Sequence, residues 1–284
     1  MYEHPHPFSK KKIKFSDLVA TKNTLRKYNL HSVCEESRCP NISECFKKKT
    51  ATFLILGNIC TRNCCFCSIK KGTPAEPNKN EPLQVVEAIK SLGIRYVVIT
   101  SVTRDDLPDG GASVFVETLK LIRQLSPLIT IEVLIPDFLG NMDSLKIVVE
   151  ASPDVISHNI ETVPSLYPIV RSMADYNRSL GVLSEIKKIN GKQITKSGIM
   201  LGLGEKKQEV MDVMKDIIET GCDFLSIGQY LAPGIRNYRT VTYTSMEEFN
   251  FYANKGMEMG FKHIESGYYV RSSYNAHRYI EKIS

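Results

Sequence analysis

Seven of the eight cysteines in this chain fall between positions 34 and 67, in two groups. Cys60-Thr-Arg-Asn-Cys64-Cys-Phe-Cys67 contains a C-x3-C-x2-C spacing. Three thiolates this close in one loop can hold three irons of a [4Fe–4S] cube, and a fourth would close it for electron transfer. Three leave one iron open, as catalytic metal centres commonly do. Cys34-Glu-Glu-Ser-Arg-Cys39-Pro-Asn-Ile-Ser-Glu-Cys45, upstream, has the spacing C-x4-C-x5-C. It points to a second cluster, which could relay electrons, bind substrate or serve as a source of sulfur. The blander readings of such loops are a structural zinc site or an incidental run of thiols. Cys65 is set aside as a small core residue and Cys222 as a packed thiol. The C-terminal two-thirds of the chain is nearly free of cysteine, so reduced metal-ligating thiols fit better than a disulfide framework.

Such loops need a frame to hold them. The segments 51–57, 96–102, 129–135, 154–160, 197–203 and 224–230 are short apolar runs without clean alternation, the pattern of parallel strands buried on both faces. Between and after them, helical periodicity is expected over 83–92, 113–125, 142–151, 180–189, 209–219 and 246–259. Six strand–helix units imply right-handed crossovers, and six are too few to close an eight-stranded barrel. The expected fold is α/β, a partial (β/α)6 TIM-type barrel over residues 51–262. A cysteine-rich N-terminal extension (1–50) precedes it and a short C-terminal extension (263–284) follows. Chemistry in such sheets gathers at the C-terminal strand ends. Thr100, Ser101, Asn159, Glu161, Glu205 and Gln229 are placed there.

The C-x3-C-x2-C loop directly after a first strand resembles the radical S-adenosylmethionine superfamily. In that superfamily the open iron chelates the amino and carboxylate groups of S-adenosylmethionine, and one electron cleaves a carbon–sulfur bond to give a 5′-deoxyadenosyl radical. Adding C-x4-C-x5-C with its Cys39-Pro-Asn step and the terminal Arg271-Ser-Ser-Tyr274, the chain is similar to the lipoyl synthases. Matching stretches include Val97–Ala112, Glu132–Phe138, His158–Val163, Thr195–Glu205 and Gly228–Leu231.

The resemblance implies two [4Fe–4S] clusters. Cys60, Cys64 and Cys67 would bind the radical-generating cluster, and Cys34, Cys39 and Cys45 an auxiliary one. A serine of Arg271-Ser272-Ser273-Tyr274 would be the fourth auxiliary ligand, with Ser273 preferred over Ser272. Position alone suggests Thr100, Ser101 and Glu161 as contacts to the methionine or ribose, and the Gly202-Leu-Gly204-Glu205 turn as a place where backbone approaches adenosine. The implied reaction inserts two sulfurs at carbons 6 and 8 of an octanoyl chain on a lysine of a lipoyl carrier domain, such as a 2-oxoacid dehydrogenase E2 subunit or the glycine cleavage H protein. Implied helpers are an electron donor such as ferredoxin or flavodoxin and an iron–sulfur carrier protein. Rival readings are another radical sulfur-inserting enzyme, methylthiotransferase-like and acting on tRNA, or a non-catalytic two-cluster electron carrier. Three features depart from the family pattern: Phe46 where tryptophan is usual, Ser68 where aspartate is usual, and the stretch from Pro233 to Thr244.

Composition limits the rest. At 284 residues the chain is long enough for one large domain. No apolar run reaches the roughly 18 residues of a membrane helix, and the N-terminus lacks a secretory apolar stretch, so a cytoplasmic protein with no membrane partner is expected. The net charge of +6 is mild. Lys10, Lys11, Lys12 and Lys14 form one basic run and Lys47, Lys48 and Lys49 another; these are solvated faces or attract an acidic protein. The aromatic–basic interleaving of RNA-binding modules is not evident, so no nucleic-acid partner is expected.

Overall fold

The computed structural model describes residues 11–48, 51–276 and 279; Lys10 and Lys49 of the two basic runs lie outside them. The chain opens with helix α1 (Phe15–Lys27), a short strand β1 (His31–Ser32) and two short helices, α2 (Val33–Glu36) and α3 (Ile42–Lys47). Strand β2 (Thr52–Ile55) enters the sheet, and a ribbon of β3 (Ile59–Cys60) and β4 (Lys70–Lys71) closes the base of the downstream cysteine loop. Helices and strands then alternate: α4 (Glu81–Leu92), β5 (Tyr96–Ser101), α5 (Ala112–Leu125), β6 (Thr130–Leu134), α6 (Met142–Glu150) and β7 (Val155–Ser157). The one-turn α7 (Tyr167–Val170), α8 (Tyr176–Ile189), β8 (Ile194–Leu201), α9 (Lys207–Glu219), β9 (Phe224–Gln229), α10 (Met246–Met259) and β10 (His263–Gly267) complete the order.

The main sheet runs β1-β2-β5-β6-β7-β8-β9-β10, and every neighbouring pair is parallel except β1 with β2. Its two edges do not pair, so the barrel is partial. All six expected strands are present. The sheet gains β1 at one edge and β10 at the other. His263-Ile-Glu-Ser-Gly267 carries a single aliphatic side chain, so its composition does not read as a strand; pairing along its whole length with residues 224–228 of β9 supplies what composition lacks.

Local chemistry sets the element ends. Helix α4 has Pro82 in its first turn and ends on Gly93 at φ +63°, a left-handed cap that glycine adopts without penalty. At α10, Ser245 and Glu248 form a reciprocal capping box. Phe53, Val97, Ile99, Ile131 and Val133 of the strands are buried under Val85, Ile89, Phe115, Leu119 and Ile122 of α4 and α5, while Leu225 and Ile227 are buried with Val213, Met214 and Phe249 of α9 and α10. The interior also holds charge. Glu132 pairs with Lys196 and accepts hydrogen bonds from Tyr96 Oη and Ser157 Oγ, both at 2.8 Å, so that its buried carboxylate is fully partnered.

The N-terminal extension is more than a polar leader. Leu18, Thr21 and Leu25 recur on one face of α1 and are buried where it packs on α3 and α4. Leu30, Cys34, Ile42 and Phe46 join the same apolar cluster. Phe46, one of the departures from the family pattern, therefore does a core residue's work. Full burial of a leucine contributes roughly 1.5–3 kcal/mol. Leu25→Ala should lower unfolding stability by about 2–4 kcal/mol, measured as a fall in the urea midpoint with an unchanged slope. An unaltered midpoint would mean that α1 is not part of the cooperative core.

Candidate metal centres

The downstream cysteine loop leaves the sheet at the C-terminal end of β2. Leu56 and Gly57 have φ of +66° and +84°, turning the chain out of the strand, and the Glu81 carboxylate accepts the Leu56 N–H at 2.6 Å. Cys60 sits on β3, where its sulfur accepts the Arg62 N–H at 3.4 Å and its carbonyl accepts the Gly72 N–H at 3.0 Å. Thr61 Oγ1 donates to Thr103 O and accepts the Asp105 N–H. The Arg62 guanidinium forks onto Asp105 at 2.7 and 2.9 Å and reaches Asp137 at 2.5 Å. Burial opposes the charge on Arg62, but the two carboxylates outweigh it and hold the group firmly protonated. One side chain inside the C-x3-C spacing thus ties the loop to the segments leaving β5 and β6.

The loop's far side is held by backbone. Cys65 N–H donates to Val170 O at 2.9 Å, while Cys65 O accepts the Tyr238 N–H at 2.9 Å. Asn237 Nδ2 donates to Cys65 O and to Cys67 O, at 3.3 and 2.9 Å. The atypical 233–244 stretch is thereby a strap over the loop. Cys60, Cys64 and Cys67 lie within electrostatic range of one another. Burial raises the Cys64 thiol and pushes Cys67 up to about 12.

Cys34, Cys39, Cys45 and Ser273 line one cavity, together with Asn41, Thr52, Tyr96, Arg271 and Tyr274 among others. Three thiols from the N-terminal side and one hydroxyl from the C-terminal side meet there, across more than two hundred residues of chain. Thr52 Oγ1 donates to Ser273 Oγ at 2.8 Å, and the Thr52 backbone is hydrogen-bonded to the Cys34 thiol. Ser272 Oγ instead bonds Asn159 Oδ1 at 3.1 Å, so adjacent serines face different surroundings. Burial pushes Cys34 up to about 12 and raises Cys39, against a backbone hydrogen bond from Asn41 and the nearby charges of Arg271 and Lys11. Lys11 Nζ donates to Asn41 Oδ1 and Glu44 Oε2, both at 2.7 Å, and lies over the rings of Tyr269 and Tyr274. Glu44, despite partial burial, is held down at about 2 by Lys11 and Lys48. Two lysines of the basic runs are therefore already committed to the walls of this cavity.

Both groups fit a cluster as donor sets: free thiols, grouped by threes, with the fourth position open in one and occupied by a hydroxyl in the other. Among the described residues no three His, Cys, Asp or Glu side chains converge as ligands of a single ion do. Cys222 is buried and its thiol donates to Phe224 O, the packed role expected of it. Cys65 is only partly buried and is held through its backbone.

The residues expected to meet S-adenosylmethionine divide. Glu161 is half-buried at φ +70°, accepts from Asn159 Nδ2 at 3.0 Å and lies beside Cys64. Its carboxyl is raised by burial, with Arg171 pulling the other way. The Ser101 hydroxyl is buried without a partner among the described residues, whereas Thr100 Oγ1 donates to Leu134 O at 2.7 Å. Glu205 is engaged within its own turn, accepting the N–H groups of Gly202 and Leu203 at 2.5 and 2.9 Å. A Cβ on Gly202 would stand 2.2 Å from Gln229 Nε2 and 2.5 Å from Thr242 O, so this glycine lets protein approach protein. Only Gly204 leaves open room, with Val241 no nearer than 3.8 Å. Gln229 is spent on Leu201, Tyr230 and Thr242 carbonyls.

Sequence reasoning missed Arg62, Arg171 and Thr52. Arg171 is half-buried beside Cys64 and Glu161, donates to Asn159 O and Tyr167 Oη, and keeps its charge against desolvation through those neighbours. Only Arg62 carried a signal, as a cation inside a ligand loop; the other two are ordinary residues until the fold places them. His158, in one of the matching stretches, is buried, pushed down to about 4 and therefore neutral near pH 7.

Comparison with known proteins agrees with this geometry. The Radical SAM superfamily model matches residues 54–217. Lipoyl synthase of Caldicellulosiruptor saccharolyticus is 55% identical over 252 residues, 89% of this chain and 88% of that protein. That of Aquifex aeolicus is 53% identical over 262 residues, 92% and 95% of the two. Among solved structures, methylornithine synthase superposes with a TM-score of 0.51 over 78% of this chain and 70% of its own, at 17% identity. Coproporphyrinogen III oxidase from Escherichia coli does so with a TM-score of 0.51 over 72% and 52%, at 14% identity. Those two share the fold alone. Among the described residues no helix is long and apolar enough to cross a membrane. Two thiol triads on a partial parallel barrel, and more than half of the aligned positions shared with relatives along nearly the whole chain, lead to one conclusion: this chain belongs to the lipoyl synthase family of the radical SAM superfamily.

Proposed function

We propose that this protein inserts two sulfur atoms, at carbons 6 and 8, into an octanoyl chain held on a lysine of a lipoyl carrier domain, leaving the dihydrolipoyl group. The observation that carries this reading is the shared cavity of Cys34, Cys39, Cys45 and Ser273. A plain radical initiator has no use for a second, three-thiol site closed by a hydroxyl. Cys60, Cys64 and Cys67 would hold the radical-generating [4Fe–4S] cluster, and the other four residues the auxiliary one. When bound, these clusters with S-adenosylmethionine supply hydrogen-atom abstraction at unactivated carbon and the sulfur that replaces the hydrogen.

The chain's own residues position and balance these groups. Glu161 and Arg171, of opposite charge beside Cys64, suit the ammonium and carboxylate ends of an amino-acid moiety. Ser101 offers a buried hydroxyl and Gly204 an open approach for the rest of the nucleoside. Arg271 and Lys11 place positive charge near the auxiliary thiolates, and Thr52 orients the Ser273 hydroxyl. A hydroxyl is a harder and weaker ligand for iron than a thiolate, so Ser273 makes the corner of that cube most easily freed. We place the auxiliary thiols on residues 1–50, the radical-generating unit on 51–262 and the closing ligand on 263–284, with β10 joining the last of these to the sheet. Reduced thiols kept for iron fit a cytoplasmic setting. E2 subunits or the H protein as carriers, ferredoxin or flavodoxin as reductant, and an iron–sulfur carrier for repair complete the proposed partners.

Anaerobically reconstituted protein should hold about eight irons, two cubes of four, and Cys34→Ala, Cys39→Ala or Cys45→Ala should hold about four. These variants should still cleave S-adenosylmethionine while yielding no thiolated carrier by mass spectrometry; dithiolated product from any of them would end the proposal. Ser273→Ala should lose product with wild-type cleavage, and Ser272→Ala should not. Arg62→Met, which leaves the buried Asp137 with only Arg178 at 3.5 Å and the Leu139 N–H, should cost about 1–3 kcal/mol and empty the radical site first. Its iron should fall to about four with the auxiliary cluster's spectrum intact; equal loss from both sites would show that Arg62 acts on the whole fold instead.

A further inference from the structure

Three segments meet around the radical-site loop. Arg38 Nη1 donates to Pro233 O at 3.3 Å, joining the auxiliary segment to the strap. Asn237 of the strap bonds the carbonyls of Cys65 and Cys67, and Ser68 Oγ donates to Glu36 O, closing the circuit. Beyond Glu36, whose carboxylate is engaged by His31 and Asn58, the charges on these segments have one sign. Residues 37–43, 65–75 and 233–244 contain Arg38, Lys70, Lys71, Arg236 and Arg239, and neither Asp nor Glu. All five cations are exposed. On the strap Ile235 is fully exposed, directly before Arg236.

We propose that this cationic rim, with Ile235 as its apolar anchor, is the docking surface for the lipoyl carrier domain, through an acidic face of that domain. The inference rests on the function proposed above. An exposed isoleucine on a rim that carries five exposed cations fits a folded acidic partner: the charges steer the encounter and the aliphatic side chain supplies contact area once water is displaced. The rim adjoins both thiol groups, through Arg38 next to Cys39 and through Asn237 on Cys65 and Cys67. An acyl-lysine arm that must reach two sites is delivered at their junction, whereas an electron donor needs to approach only one. The Lys47–Lys49 run is less suited to docking, because Lys48 is already paired with Glu44 at 2.9 Å.

The test measures the affinity of an octanoylated lipoyl domain for the reconstituted protein at low and high salt. Arg236→Glu/Arg239→Glu should weaken binding about tenfold or more at low salt, the difference fading at molar salt where the Debye length is about 3 Å. Ile235→Asp should weaken it at both salt levels, and Arg236→Lys/Arg239→Lys should bind as the unaltered chain does. Carrier-free, dithionite-driven cleavage of S-adenosylmethionine should be unchanged in all of them, which controls for folding of the strap. Unchanged carrier affinity in the charge-reversal variant overturns the proposal. So does slowed turnover with a protein reductant alone, which would assign the rim to the electron donor. If the unaltered chain binds the octanoylated domain and never thiolates it, the proposed function fails while the docking surface stands.

Discussion

A threonine at the first position of a strand carries the auxiliary site. Thr52 opens β2, and from there its backbone reaches the Cys34 thiol while its hydroxyl reaches Ser273 Oγ. Cys34 and Ser273 belong to opposite ends of the chain, and no local preference brings them together. The sheet does so, by pairing Thr52 with Val98 of β5 while the next two residues, Phe53 and Leu54, pair with Ser32 and His31 of β1. Backbone pairing therefore sets a tolerance for ligand placement that flexible extensions alone would not meet. The downstream loop follows the same logic with charge in place of hydroxyls. Arg62 is locked to two carboxylates at adjacent strand ends, so the position of the three thiols is inherited from the barrel.

Electrostatics at both sites favours neutral groups until metal binds. Burial raises Cys34, Cys39, Cys64 and Cys67, so these sulfurs keep their protons in the metal-free protein. On the proposed function, iron binding would displace them, which would couple loading to proton release. The few cations nearby are placed where negative charge accumulates on loading: Arg271 and Lys11 by the auxiliary thiols, Arg171 by Cys64. Each is a compromise with desolvation. Arg271 shows it most plainly, since burial lowers its affinity for a proton even beside Cys39.

Much of this was legible in the residues. Buried parallel strands announce themselves as unbroken apolar runs, and all six were found; the principal helices follow from 3.6-residue periodicity. The cysteine spacings named both donor sets, and the Arg-Ser-Ser-Tyr resemblance pointed to Ser273, which the structure places in the same cavity as the three thiols. What escaped was whatever depends on partners distant in sequence. Strand β10 is a strand because β9 pairs with it, and α1 packs by only Leu18, Thr21 and Leu25 in an otherwise polar stretch. Glu205 and Gly202 look like ligand-facing residues by position, yet both are engaged by neighbouring protein groups. A strand end is a good address for chemistry and says nothing about whether a polar group there is free.

The leader helices bear on how such a protein endures its own reaction. A cluster that surrenders sulfur is destroyed in each round, and a socket shaped only by its metal would collapse with it. Here the walls are set by hydrophobic contacts of Leu18, Leu25, Ile42 and Phe46 with the rest of the core, formed without any metal. On the proposed function, a socket built this way would keep its form when emptied, so that repair would be a matter of delivering a new cube to a standing mould, with turnover limited by resupply rather than by refolding.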